Sequence, residues 1–156
     1  MTITVHIRQE SWGAGEAGEI PLYGKKPETA LKDLKNRRIT QARKTLEAEG
    51  QEPYYPLAKA ICSDLRILTE RIVEFVFLAD VIQRHRRAVN TLGKIHKLAH
   101  ITSNDCKLIE EIMTKYSCYE HSQSLEAPIE MPEPNELDAD VDKLLNWHAE
   151  FIKRVA

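Results

Sequence analysis

At the start of the chain apolar and polar positions alternate with a period of two. In TITVHIRQ, Ile3, Val5 and Ile7 stand between polar neighbours, the spacing of a half-buried strand. SWGAGEAGEIPLYG follows, and its Gly13, Gly15, Gly18 and Gly24 predict a flexible turn with a short return strand. One hairpin is not stable alone in water, so this one must lie on other elements or belong to a larger sheet.

From residue 25 onward the period becomes helical. Pro27 opens a first segment in which Leu31, Leu34, Ile39, Ala42 and Leu46 recur until Gly50 stops it. After Pro53 and Pro56 the longest stripe begins, with Leu57, Ile61, Leu65, Leu68, Ile72 and Phe75, and its helix is expected to end near Asp80. VIQRHRRAVNT then reads as a basic connection, followed by a short helix from Thr91 to His100. Ser103 and Asn104 offer N-cap oxygens to a helix whose apolar face is Leu108, Ile109, Ile112, Met113 and Tyr116. LEAPIEMPEP, with three prolines, must be a loop. In the last helix Asn135 is the expected cap, with Asp138 at its third position, and Leu137, Val141, Leu144, His148, Phe151 and Val155 are expected to face inward. The expected fold is mainly α: a bundle of four to five helices over 25–156 with a small β-strand or hairpin appendage over 1–24.

Composition adds one asymmetry to this picture. The 22 basic and 24 acidic residues nearly cancel, so no global field calls for a polyanion. Locally, however, Lys25 to Lys44 holds eight basic and two acidic residues, and Arg84 to Lys97 holds five basic and none acidic. Gln123 to Asp142 holds seven acidic and no basic ones. Such blocks are either complementary faces of packed helices or a basic surface for phosphate. Cys62, Cys106 and Cys118 form no CxxC pair; they point to a reducing cytoplasm, with Cys62 and Cys106 as core residues. No apolar run suffices for a membrane span, and the N-terminus lacks a signal pattern, so a cytoplasmic protein without membrane contact is expected.

Several short patterns carry candidate chemistry. GEIPLYGKK departs from a P-loop, because five residues, not four, separate Gly18 from Gly24 and Lys26 stands where Ser or Thr must ligate magnesium. HKLAH sets His96 and His100 four apart, but Lys97 replaces the glutamate of a zinc hydrolase motif. Neither a metal nor another cofactor is expected. RHRR supplies Arg84, Arg86 and Arg87, and Lys94 continues the basic stretch; these are the candidate nucleic-acid contacts, although no aromatic is interleaved for base stacking. Glu70, Arg71 and Glu74 cluster on the strongest helix, either as an intrahelical ion pair or as part of a site.

MTKYSCYEHSQ carries His121 near its end, close behind Lys115 and Ser117. On an ideal helix Lys115 and His121 lie about 120° apart, so only the long lysine stem could bring its ammonium to the imidazole. If His121 met Arg71 and Glu74 across the bundle, the parts of a metal-free ribonuclease would be present. The imidazole would shuttle a ribose hydroxyl proton, cations would steady the phosphorane, and a carboxylate would orient the ring. The alternative is a helix-end histidine interacting with the last carbonyls.

VHIRQESWGAG, ERIVEFVFLADVIQRHRRAVNT, SNDCKLIEEIMTKYSCYEHSQ and PEPNELDADVDKLLNW, taken in that order, resemble the C-terminal region of large bacterial AAA/ABC-type ATPases. These are the ones related to the anticodon-nuclease and SMC-like defence proteins. The resemblance covers nearly the whole chain. It implies a fragment or isolated domain that follows an ATPase head, or a gene that kept only the tail, with the stranded hairpin belonging to the head's sheet. In the anticodon-nuclease branch it implies a HEPN-like helical nuclease with arginine, glutamate and histidine in the site. Arg71, Glu74 and His121 match these by position, and Lys115 stands at the arginine position of the Arg-to-His motif. Lysine keeps the charge there but lacks the planar fork. Two functions therefore follow. The first is a helical accessory domain of an SMC/ABC-type ATPase, connected with phage defence, that self-associates or contacts the ATPase head, another partner or RNA. The second is a HEPN-like, metal-independent endoribonuclease using His121, Arg71, Lys115 and Glu74.

Overall fold

The computed structural model of the chain describes residues 6–10, 13–18, 22–121 and 129–156, with side chains described for 22, 24–119 and 129–156. The chain is mainly helical, with five α-helices among the described residues. Near the N-terminus β1 (His6–Glu10) pairs antiparallel with β2 (Gly13–Gly18), from His6↔Gly18 to Glu10↔Gly13, with a register shift between Arg8 and Gln9. Ile3 and Val5 of the expected strand lie outside the described residues.

The first rod joins α1 (Pro27–Asp33) to α2 (Thr40–Glu49) through a π-helical segment, Leu34–Ile39. Leu34 and Ile39 are both buried yet five residues apart, a spacing that a regular α-helix turns to different faces. The wider i→i+5 turn brings both back to the core. Gly50 at φ 87° ends the rod and begins α3 (Gln51–Ile72); this left-handed region is open to glycine without steric cost.

α3 starts earlier than the stripe predicts, taking in both prolines. Pro53 sits in the first turn, where its missing N–H would be unpaired anyway. The buried face is Tyr54, Ala58, Ile61, Cys62, Leu65, Leu68 and Ile72, whereas Leu57 and Phe75 are exposed, contrary to expectation. A second π-helical segment, Val73–Phe77, explains Phe75. It rotates the end of the stripe so that Phe77, five residues after Ile72, packs on Trp147 and Phe151. Ala79 and Asp80, both at positive φ, end the helix.

The irregular connection contains one 3-10 helix, Ile95–His100, shorter than the expected helix from Thr91. It leads to α4 (Ser103–His121). Thr102, not Ser103 or Asn104, makes the cap. Its backbone N–H and hydroxyl donate to Asp105 at 2.7 and 2.8 Å, and its hydroxyl accepts from the Asp105 N–H at 3.4 Å, a reciprocal capping box. α5 (Pro134–Val155) likewise starts without the expected Asn135 cap; the Asn135 and Asp138 side chains instead accept from Arg43 of α2. Leu137, Val141, Leu144, Phe151 and Val155 face the core as expected, Trp147 and Asp140 join them, and His148 is only half-buried.

Cross-bundle contacts fix the directions of the rods. The start of α5 lies beside the start of α3, where the Tyr54 hydroxyl donates to the Pro132 carbonyl at 2.5 Å. It also meets the second half of α4 through Lys115 and Tyr116. The end of α5 meets Phe77 and, through Trp147 and Arg154, Asp105 at the start of α4. Lys35 pairs with Asp142 and Arg43 with Asp138, so the first rod runs against α5. The four rods therefore alternate up, down, up, down. No helix is long and apolar enough to cross a membrane among the described residues.

Candidate functional site

Alternating direction decides which of the sequence-selected residues meet. Arg71 and Glu74 belong to the end of α3 that closes with Phe77, and Phe77 faces the end of α5 that holds the start of α4. From Asp105 to His121 the helix rises about 24 Å at ~1.5 Å per residue. The backbone of His121 thus ends α4 at the other end of the bundle, while its side chain lies outside the described residues. Lys115 does not bridge that gap. Its ammonium is held by Asp140 at 2.6 Å and Glu136 at 2.5 Å, both on α5. Arg71, Glu74, Lys115 and the end of α4 are not brought together.

Each of these groups has a different local partner. Glu70 and Glu74, one turn apart, are bridged by Arg84, whose Nη1 and Nε reach them at 2.7 and 2.5 Å. Glu74 is thereby turned toward the connection after α3. The Arg71 guanidinium lies 4.8 Å from the Phe75 ring centroid, and its buried Nε has no hydrogen-bond partner among the described residues. Burial by itself would push the Lys115 ammonium down, but the hydrogen bonds it donates to Asp140 and Glu136 outweigh this and hold the group above its ordinary value. Asp140 accepts also from Tyr116 at 2.7 Å. Burial pushes its carboxyl up, and Lys115 and Tyr116 bring it below the ordinary range. This Lys115–Asp140–Tyr116 set clamps α4 to α5 and is a structural network.

The basic stretch is organised around Asp80. Its carboxylate accepts from Arg86 at 3.2 Å, Lys94 at 2.8 Å and Gln83, and Arg86 also donates to the Asp80 and Val81 carbonyls at 2.5 and 2.9 Å. Arg84, Arg86 and Lys94 therefore have acidic partners within the chain, whereas Arg87 is exposed and carries none among the described residues. Sequence reasoning missed this acidic hub because Asp80 read only as a helix end. The positive φ of Ala79 and Asp80 folds the chain back so that one carboxylate faces residues up to fourteen positions on. The same connection exposes Ile82, Val89, Leu92 and Ile95.

HKLAH adopts 3-10 geometry, in which residues four apart diverge by about 120° instead of sharing a face. Among the described residues no group of three or more His, Cys, Asp or Glu is placed to hold a metal. Cys62 is buried as expected, and burial pushes its thiol up to about 12, which keeps it from acting as a nucleophile near neutral pH. Cys106 is only half-buried. No family model, curated protein or solved structure matches the chain.

Proposed function

We propose that this chain is a helical accessory domain that acts by protein contact, of the kind that follows the head in SMC/ABC-type AAA ATPases connected with phage defence. Its contact surface is the connection between α3 and α4. The observation that carries this reading is the exposure of four aliphatic side chains within fourteen residues: Leu92 at 89%, Val89 at 61%, Ile82 at 54% and Ile95 at 51%. The loop that holds them is cross-linked through Asp80, so they are presented on an ordered backbone. Clustered exposed apolar groups of this kind mark interaction sites. Aliphatic groups without an aromatic favour a protein surface over the stacked bases of a nucleic acid.

The partner that fits is acidic and apolar, and a second copy offers such a surface at its other end. There Glu49, Glu52, Glu130 and Glu133 are exposed, together with Tyr55 and Ile129. Head-to-tail contact of this kind is heterologous and grows into open chains. Sedimentation velocity across a concentration series provides the test. Weight-average mass should rise with concentration at about 0.05 M salt and fall back at about 1 M, where surface charges are screened. Leu92→Asp should stay monomeric. A wild type that remains monomeric at every concentration in low salt would overturn the reading. RNA incubated with the protein in EDTA should remain intact; cleavage lost in His121→Ala would instead establish the ribonuclease.

A further inference from the structure

A cleft of about 370 Å³ opens between the start of α1, the end of α3 and the later half of α5. Its walls include Lys26, Arg71, Phe75, Val76 and His148. Two other charged groups at the rim are already neutralised. Lys25 pairs with Asp33 at 2.9 Å, and Glu28 pairs with Lys32 at 2.7 Å. Lys26 is exposed and carries no ion pair among the described residues. Among the described residues Arg71 has only the Phe75 ring as partner, and its buried Nε–H is unpaired there. Because that nitrogen is closed to solvent, the cleft is open to Arg71 only through the rest of its side chain.

The structure assigns this cleft as a binding site for a small organic anion, a phosphate ester or carboxylate whose charged end meets Arg71 and Lys26 and whose apolar body lies on Phe75 and Val76. The two terminal nitrogens of a guanidinium are parallel donors, a geometry that carboxylate and phosphate oxygens accept in pairs. Lys26 adds a point charge at the rim, and the His148 ring supplies one further N–H when neutral. The volume is that of a site for a small ligand, in which a mostly apolar wall gives affinity and a few polar groups give orientation. The rejected P-loop likeness around Lys26 thus gains a different meaning. No backbone cradle is needed, because the anion is held by side chains from two distant parts of the chain. This site is independent of the loop contact proposed above.

The test is an NMR titration of the full chain, labelled with ¹⁵N, using phenyl phosphate, inorganic phosphate and benzyl alcohol. Phenyl phosphate should move the Arg71 Nε–H and the His148 ring signals saturably, inorganic phosphate more weakly, and benzyl alcohol not at all. Arg71→Gln should weaken phenyl phosphate about tenfold, as expected for one charged hydrogen-bonding partner. Lys26→Gln, at an exposed position that the fold does not need, should weaken it several-fold, and Arg87→Gln should leave it unchanged. No saturable shift with either phosphate, binding of benzyl alcohol equal to that of phenyl phosphate, or wild-type affinity in Lys26→Gln and Arg71→Gln would each overturn the assignment.

Discussion

Asp105 is the most consequential polar residue of the bundle, and its replacement by alanine gives a quantitative test of how the two ends of α4 and α5 are joined. The carboxylate is buried and accepts from the Thr102 backbone N–H at 2.7 Å, the Thr102 hydroxyl at 2.8 Å, Trp147 Nε1 at 2.9 Å and Arg154 at 2.6 Å. Asp105→Ala removes one half of the capping box, worth about 1 kcal/mol. It also leaves the indole N–H of buried Trp147 without its acceptor, at about 1–3 kcal/mol. Arg154 reaches solvent and can be rehydrated, so it adds little. The expected loss is about 2–4 kcal/mol, or on the order of 10 °C in Tm for a chain of this length. Urea unfolding should show a lower midpoint with an unchanged slope. The pH dependence gives a second readout. Burial alone would raise the Asp105 carboxyl, but the bonds from Arg154, Thr102 and Trp147 outweigh it and hold the group well below the usual carboxylate range. A carboxyl depressed in the folded state stabilises fully above its unfolded value of about 3.9 and loses that contribution as pH falls toward the folded value. The gap between wild type and Asp105→Ala should therefore narrow below about pH 4. A variant within about 0.5 kcal/mol of wild type at neutral pH, a change typical of a surface substitution, would refute the reasoning.

Two further outcomes follow from the geometry. Because the π-helical segment turns Phe75 outward and packs the half-buried Phe77 against the core, Phe75→Ala should cost at most about 1 kcal/mol, and Phe77→Ala about 2–3 kcal/mol; the reverse order in urea unfolding would restore a regular helix through Phe75. At His148 burial dominates and lowers the imidazole, with Glu28 opposing and Lys32 adding to the shift. The unfolded chain then binds the proton more readily, so the penalty is complete below the folded value and gone above about 6.5. Wild-type stability should rise over that interval, and His148→Gln should remove the rise; an identical slope in both proteins would contradict the burial.

Local pattern determined a large part of this molecule. Gly50 and the helical spacing of Leu31, Leu65, Ile112 and Leu144 mark four rods, and the basic run from Arg84 to Lys97 marks an exposed connection, because periodicity and turn chemistry act between near neighbours. The five-residue step from Leu34 to Ile39 stands in the sequence, and the apolar stripe runs on regularly from Ile72 to Phe75. Packing against other rods nevertheless favours π-helical turns at both places and turns Ile39 and Phe77 to the core instead of Phe75. Tertiary structure alone decided which charges meet. Asp80 gathers Arg86 and Lys94, Asp105 joins Thr102 to Trp147 and Arg154, and Lys26 comes to share a cleft with Arg71. The alternation of rod direction separates Arg71 and Glu74 from the end of α4. A helix stripe specifies which face is buried, but not which end of the next helix will lie beside it. That pairing is fixed by loops and long-range contacts whose energies do not repeat along the chain.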